Sequence, residues 1–237
     1  TYGWFFDYIS DNLKFVLGKL RDFLIWIPWP LMMGIIFLMA WKIASPKVAV
    51  LSLLGMLGIA IMNLWEPTMV TLAIMWVSVF IAVLIGVPLG VIAARSNLVD
   101  SCLKPILDSM QTMPSFVYLV PGIMFFGLGN VSAILATVLY ALPPCIRLTN
   151  LGIRQVDPAV IEAGKSFGSS NMQLLFKIQI PMAIPTIMAG INQTVMMALA
   201  MSTICAMVGA GGLGIEVLRA MGQLREGEAV IAGFAIV

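Results

Sequence analysis

Long apolar runs separated by short polar stretches dominate the pattern of this chain. Six runs and the start of a seventh occupy about residues 28–44, 48–65, 68–94, 105–127, 131–149, 183–208 and 229 onward. Most of them approach the roughly 20 residues that a helix needs to cross a hydrocarbon core about 30 Å thick. A transmembrane barrel would instead show short strands of alternating polarity. The pattern therefore predicts an all-α, polytopic bundle of membrane helices.

Residues 1–27 have a different, amphipathic pattern. Their apolar stripe consists of Phe6, Ile9, Leu13, Val16, Leu17, Leu20, Phe23, Leu24 and Ile27. Most charged residues fall on the other side, and tryptophans near both ends suit an interface. This pattern predicts a helix that lies in the membrane surface. A helix packed on another domain is the alternative.

Composition agrees with a membrane protein and excludes several kinds of site. Hydrophobic residues make up 61% of the 237 residues and charged residues 10%, whereas soluble proteins have roughly 25% charged residues. The chain has no histidine, which is the commonest metal ligand and proton carrier. Cys102, Cys145 and Cys205 show no paired spacing for a disulfide or a metal. We expect the lipid bilayer as a partner, and neither a metal nor a nucleic acid.

The distribution of charge predicts the orientation of the helices. If residues 150–181 lie in the cytoplasm and the runs alternate, the cytoplasmic side holds eight of the 13 lysines and arginines and four of the 11 acids. Lysine and arginine favour the cytoplasmic side of a membrane protein. We therefore predict that the N-terminus lies outside. Because Val237 lies inside an apolar run, we also expect that this sequence ends within its last helix.

The polar segment 150–181 contains a short helix with clear end signals. Asp157 suits the N-cap, Pro158 the first helical position, and Gly168 the position after the end. Its helical spacing places one set of residues on a single face: Val160, Ala163, Gly164 and Phe167. That face is small in its middle and would let another protein's groove approach closely. The pattern predicts a docking helix.

Two nucleotide-binding patterns occur by chance. Residues 159–166 fit a relaxed phosphate-loop pattern, but no strand precedes them, as such a loop requires. Residues 209–214 fit a dinucleotide fingerprint, but they follow an apolar run rather than a strand. We interpret the first as a capped helix and the second as a flexible turn at the outer membrane face.

The polar segment resembles the signature loop of permease subunits of ATP-driven (ABC) importers. That loop reads Glu-Ala-Ala, three residues, Gly, nine residues, Ile-x-Leu-Pro. The matching positions are Glu162, Ala163, Gly168, Ile178 and Pro181, while Gly164 and Ile180 are conservative departures. Segments 108–121, 141–148, 187–194 and 211–214 are similar to the glycine betaine/proline betaine permeases. The resemblance covers roughly residues 67–237.

The resemblance implies a type I ABC importer permease fold and a set of partners. Residues 67–237 would form the core permease domain with coupling loop 150–181, and residues 28–66 two accessory transmembrane helices. Two such chains would work as a homodimer in the bacterial inner membrane with two ATP-binding subunits, which hold the ATP and magnesium. A substrate-binding protein, separate or fused as a domain, would deliver the osmolyte from outside. Coupling would fall to the loop residues already named, with Ile178 and Pro181 joining the docking helix to the spans.

The residues that line the solute path are predicted from chemistry. A methylated cation favours aromatic and soft surfaces, and its carboxylate needs polar groups in place of water. The candidates are Gln111, Thr112, Phe116, Tyr118, Asn192, Gln193, Thr194 and Met197. The alternative is that the polar ones form helix–helix hydrogen bonds of about 0.6 kcal/mol each.

Two other functions stay open at this point. One is an ABC permease for another small solute such as choline, carnitine or an amino acid. The other is an ion-coupled secondary transporter, which usually needs carboxylates or histidines within its spans. Here every carboxylate except Asp108 falls in a loop or near the end of a run.

Overall fold

The computed structural model describes residues 3–236, and all regular structure in them is helical. The α-helices are α1 Gly3–Trp26, α2 Trp29–Ile43, α3 Pro46–Ile61, α4 Trp65–Arg95, α5 Asn97–Thr112, α6 Leu119–Phe126, α7 Asn130–Arg154, α8 Pro158–Ser166, α9 Asn171–Leu174, α10 Ile180–Cys205, α11 Leu213–Gly222 and α12 Glu226–Ile236. Short 3₁₀-helices occupy Ser115–Tyr118 and Ala206–Val208, and a π-helical turn occupies Leu175–Gln179. The predicted all-α class is confirmed.

Within residues 3–236, three helices are long and apolar enough to cross a membrane: Trp65–Arg95, Asn130–Arg154 and Asn171–Val208. They correspond to the predicted runs 68–94, 131–149 and 183–208, although the last begins 12 residues earlier than predicted. Helices α2 and α3 have 15 and 16 residues, or about 22–24 Å at 1.5 Å per residue. Whether these two cross the membrane stays a prediction.

The prediction of one span over residues 105–127 is wrong. Helix α5 ends at Thr112, and Met113 adopts an extended conformation with φ −69° and ψ 137°. The residue before a proline is pushed out of the helical region by the proline ring, and Pro114 follows here. A 3₁₀-helix and the eight-residue α6 complete the segment. The polar residues just before the break, Asp108, Ser109, Gln111 and Thr112, agree with it.

The structure divides into two compact units. Unit 1 comprises Thr1–Val77, Leu119–Ala136 and Leu199–Val237, and unit 2 comprises Ser78–Tyr118 and Thr137–Ala198. Three of the four boundaries fall inside the long helices, and the fourth falls between the 3₁₀-helix Ser115–Tyr118 and α6.

In unit 1, the apolar stripe of α1 packs against protein. Leu17 and Leu24 are buried, and the Phe6 ring stacks on that of Phe125 with centroids 4.7 Å apart. Val16 and Phe23 from the same predicted stripe are exposed. The helix is confirmed, its stripe is covered in part by its own unit, and its place at a membrane surface stays a prediction.

The glycine-rich turn of unit 1 is anchored, contrary to the flexible turn that the sequence predicted. Gly212 has φ +101°, and a Cβ there would lie 2.3 Å from Oγ1 of Thr71. The Leu213 amide donates to that hydroxyl at 2.8 Å, and the Gly211 amide donates to Oδ1 of Asn130 at 2.8 Å. Side chains that are distant in sequence therefore hold the turn in place through hydrogen bonds.

In unit 2, the ends of three long helices share one apolar core. Its buried members are Ile153, Leu175, Ala183 and Ile187. Residues of α4 pack against them, including Val87, Val91 and Ala94. This core is the base from which helix α8 projects.

Candidate coupling site

Helix α8 begins as the sequence predicted. Asp157 is its N-cap, and the carboxylate accepts a hydrogen bond from the Ala159 amide at 2.8 Å. Pro158 occupies the first helical position, where its missing N–H leaves no bond unmade. The cap and the proline together fix where the helix starts.

The end of α8 is closed by a Schellman motif. The Ser169 amide donates to the Gly164 carbonyl at 3.1 Å, and the Gly168 amide donates to the Lys165 carbonyl at 2.8 Å. Gly168 has φ +79°, a left-handed conformation that costs other residues free energy because of their Cβ. Gly168 therefore ends the helix, and the predicted capped helix is confirmed.

The predicted docking face of α8 is rotated in the structure. Gly164 is buried, and a Cβ there would lie 2.6 Å from Cδ2 of Leu174 and 2.7 Å from Cδ1 of Ile178. Val160 is half-buried. Side chains of the same chain thus pack against the small residue in the middle of the helix. The expectation that a partner's groove approaches Gly164 is therefore wrong, because Leu174 and Ile178 already cover it.

The exposed face of α8 is shifted by one residue toward the N-terminus from the predicted face. It consists of Ala159, Glu162, Ala163 and Ser166, all exposed. Phe167 caps the helix and is 91% exposed. Glu162, Ala163 and Phe167 from the predicted set are thus accessible to another protein.

The helix that follows α8 holds it in place. Asn171–Val208 is continuous through the π-helical turn, in which the Ile180 amide donates to the Leu175 carbonyl. Ile178 lies in this turn and packs on Gly164, while Pro181 is the exposed second residue of α10. Ile178 therefore contacts α8, and Pro181 belongs to a helix rather than to a loop. That these two residues join α8 to the spans stays a prediction.

A polar cluster that the sequence did not single out lies at the start of the coupling loop. Asp100 of α5 accepts hydrogen bonds from Asn150 Nδ2 at 2.7 Å and from Lys104 Nζ at 2.8 Å. Arg154 Nη2 lies 3.6 Å from the same carboxylate. Asp100 is only 7% exposed. The hydrogen bond from Lys104 lowers the pKa of Asp100 below its usual 3.8, burial opposes this, and Asn150 and Arg154 assist. The group is therefore a carboxylate at neutral pH.

The predicted path residues are divided by the structure into exposed and internally bonded groups. Gln111, Thr112, Phe116, Asn192 and Gln193 are exposed, and Met197 is half-buried. Thr194 is fully buried and donates to the Gly190 carbonyl at 2.9 Å. Tyr118 is buried and donates to the Met110 carbonyl. The Thr194 bond lies within α10, whereas the Tyr118 bond joins the 3₁₀-helix to α5. The path itself stays a prediction.

Comparison with known proteins identifies the family. The protein family described as binding-protein-dependent transport system inner membrane component matches residues 86–237. The glycine betaine transport system permease protein OpuAB of Bacillus subtilis is 47% identical over the whole chain and 84% of its own length. The glycine betaine/proline betaine transport system permease protein ProW of Escherichia coli is 45% identical over 98% of the chain. The chain spans 66% of the length of ProW.

The chain belongs to this permease family. The resemblance predicted from the signature loop is thereby confirmed. A solved structure of the methionine ABC transporter MetNI in inward-facing conformations matches with a TM-score of 0.58 at 23% identity, covering 70% of this chain and 89% of that one. That likeness supports the type I permease fold alone.

The permease assignment also explains the two nucleotide-like patterns. Residues 159–166 lie within α8, so their backbone is helical rather than the open loop that cradles phosphate. Residues 209–214 bond to Thr71 and Asn130 of the same unit. Both patterns are structural elements of the permease.

Proposed function

We propose that this permease is the transmembrane subunit of an ATP-driven importer of glycine betaine/proline betaine-type osmolytes. In this proposal it is not an enzyme, and a separate ATPase subunit hydrolyses ATP and acts on helix α8. Membership of the permease family and the glycine betaine transport by the relatives OpuAB and ProW support the solute class.

One observation supports the coupling role most directly: one side of α8 packs against its own chain, and another side is exposed. Leu174 and Ile178 contact its Gly164 side, and Glu162, Ala163 and Phe167 lie on its accessible edge. A helix fixed in this way transmits displacement to the core of unit 2. A ligand or partner shifts a conformational equilibrium only through contacts that differ between the two states. The exposed edge of α8 offers such contacts.

The assembly follows from this role. Two permease copies pair in the bacterial inner membrane, with N-termini outside and α8 in the cytoplasm. Two ATPase subunits, carrying ATP and magnesium, close and push the two α8 helices together, which switches the path from inward to outward opening. An extracytoplasmic binding protein or fused binding domain supplies the solute. We keep six path candidates because none of them is fully buried: Gln111, Thr112, Phe116, Asn192, Gln193 and Met197.

A permease for another small solute, such as choline, carnitine or an amino acid, remains the second candidate, because selectivity can reside in the binding protein. An ion-coupled secondary transporter does not fit a family whose members depend on a binding protein.

The docking role is tested by reversing the charge of Glu162 in the complete importer. Glu162→Arg should abolish ATP-driven uptake and reduce co-purification of the ATPase subunit, while the permease still inserts into the membrane. Glu226→Arg is the matched control, because Glu226 is an exposed glutamate of unit 1 outside the loop. Unchanged uptake and unchanged co-purification for Glu162→Arg would contradict the docking role.

A further inference from the structure

Helix α5 and the last two turns of α7, both in unit 2, face each other through polar side chains. On α5 these recur at intervals of three or four residues: Asn97, Asp100, Lys104 and Asp108. On α7 they are Arg147, Asn150 and Arg154. Such spacing places each set on one face of its helix. Two polar faces therefore meet along about two turns.

The contacts form two rungs between antiparallel helices. In one, Asp100 accepts from Asn150 at 2.7 Å and lies 3.6 Å from Arg154. In the other, Arg147 donates to Asp108. The two aspartates are eight residues apart and the two arginines seven, or about 12 and 10.5 Å along their helices. Because the spacings match, sliding by one turn would separate both carboxylates from their arginines.

Arg154 extends the first rung to a third helix. Its Nη1 donates to Asn97 Oδ1 at 2.8 Å, its Nη2 to the Ala93 carbonyl of α4 at 2.8 Å, and its Nε to Asn150 Oδ1 at 2.9 Å. A planar guanidinium with five donors suits such a junction. Arg154 is also the last residue of α7, three residues before the N-cap of α8. One side chain thus joins α4, α5 and the root of the coupling helix.

The two rungs are unequal. The Asp100 side chain is only 10% exposed, while those of its partners Arg154 and Lys104 are 33% and 68% exposed. A buried carboxylate depends on its partners to offset the cost of desolvation. Asp108 and Arg147 have side chains 64% and 39% exposed, and exposed pairs contribute little. The register of α5 on α7 therefore depends mainly on Asp100.

At its other end, α5 leads to the break at Pro114. The Tyr118 hydroxyl donates to the Met110 carbonyl, which ties the 3₁₀-helix Ser115–Tyr118 back onto α5. Gln111 and Thr112, two of the path candidates, are the last residues of α5. Helix α5 consequently connects the root of the coupling loop with the predicted path.

We propose that Asp100 is a positioning residue for coupling: it locks α5 in register with α7, so that α5 and the Pro114 break move with α8. This inference rests on the proposed function, because it takes α8 as the point where the ATPase acts. Asp100 touches neither ATPase nor solute in this account and works through Asn150 and Arg154.

The test measures osmolyte transported per ATP hydrolysed in proteoliposomes that contain the complete importer. Asp100→Asn should keep the ATPase subunits bound and hydrolysing ATP, while the ratio falls roughly tenfold, within the usual range of coupling between sites. Combining Asp100→Asn with Asn150→Asp should restore the ratio, because Arg154 Nε already contacts residue 150 at 2.9 Å. Asp22→Asn, at an exposed aspartate paired only with its neighbour Arg21, should change nothing.

A covalent link provides an independent rescue. In a variant without the three native cysteines, Asp108→Cys and Arg147→Cys can be joined by a flexible bifunctional cross-linker. The link should restore the ratio in the Asp100→Asn background if register is what Asp100 supplies.

Three results would overturn the proposal: an unchanged ratio in Asp100→Asn, loss of the ATPase subunits from that variant, or failure of both rescues. Failure of the proposed function is distinguishable from these. In that case Glu162→Arg would retain both ATPase subunits and uptake, whatever the Asp100 variants do.

Discussion

Gly164 offers a direct test of how α8 is held. If Gly164 packs against its own chain, alanine at this position should be tolerated. If a partner's groove approaches Gly164, alanine should reduce uptake. A Cβ at this position would lie 2.6 Å from Leu174 Cδ2 and 2.7 Å from Ile178 Cδ1, whereas carbon atoms in contact prefer about 3.5–4.0 Å. Relief of about 1 Å is therefore needed. Both neighbours are the ends of flexible side chains and can supply it.

Gly164→Ala brings two opposing free energies. Moving two side chains off their preferred rotamers costs about 0.5–1.5 kcal/mol each. Replacing glycine by alanine inside a helix gains about 1 kcal/mol. We therefore expect a net loss of stability of about 0–2 kcal/mol, within the usual range for a single substitution, and we expect uptake to be retained. Gly164→Leu adds three further carbons to a filled site, and overpacking of that kind costs about 1–3 kcal/mol. It should push α8 away and strongly reduce uptake.

The assay is osmolyte uptake with ATPase co-purification, measured for both variants after normalising to inserted permease. Gly55→Leu is the matched control, because a Cβ at Gly55 in helix α3 meets nothing within 4 Å. Adding Leu174→Ala to Gly164→Leu should recover part of the uptake by reopening the space. Uptake at the unaltered level in Gly164→Leu would refute the packing argument. Equal losses in the alanine and leucine variants would instead indicate close approach by a partner.

Three further predictions concern the backbone of α8, the charge of Asp100 and the glycine-rich turn. Gly168→Val should cost about 1–2 kcal/mol of stability because of the left-handed φ, and it should lower uptake. Gly222→Val should not, because Gly222 is an open glycine without positive φ. Equal uptake by the two variants would contradict the role of Gly168 in ending α8. Because the pKa of Asp100 in the folded chain lies below 3.8, its stabilisation is fully present above that value and is lost only as the pH falls through the folded pKa. The difference in melting temperature between the unaltered permease and Asp100→Asn should thus be constant from about pH 8 to about pH 5, and a decline within that window would show a raised pKa. Thr71→Val should lower the melting temperature, because it leaves the Leu213 amide unpaired at a loss of about 1–3 kcal/mol. Thr68→Val should lower it less, because the Thr68 hydroxyl donates to the Leu64 carbonyl of its own helix region. Equal effects of the two substitutions would argue against an anchored turn.

Local signals in the sequence predicted the helix boundaries of the site well. Asp157, Pro158 and Gly168 determine the ends of α8 through bonds and dihedral angles within a few residues, so the capped helix could be foreseen. Which side of α8 is buried depends on Leu174 and Ile178 of the following helix. That packing is tertiary, and the predicted face was accordingly misplaced by one residue.

Pairings between distant residues could not be predicted. In the sequence, Asp100 and Arg154 count only among the charges of the predicted cytoplasmic side, although the recurrence of polar residues at 97, 100, 104 and 108 marks a polar helical face. Their partnership depends on how α5 packs against α7. The glycines of 209–214 likewise indicated a turn, but its anchors, Thr71 and Asn130, lie 142 and 81 residues away from the amides they bind. Pro114 and the polar residues Gln111 and Thr112 before it do mark the break after α5 in the sequence.

The most direct test of the central claim is uptake of labelled glycine betaine into proteoliposomes that contain the permease with its ATPase subunits. Uptake should require ATP on the side of α8 and the binding protein on the opposite side, and Glu162→Arg should abolish it. Uptake driven by an ion gradient with the permease alone, without ATP or binding protein, would contradict the account.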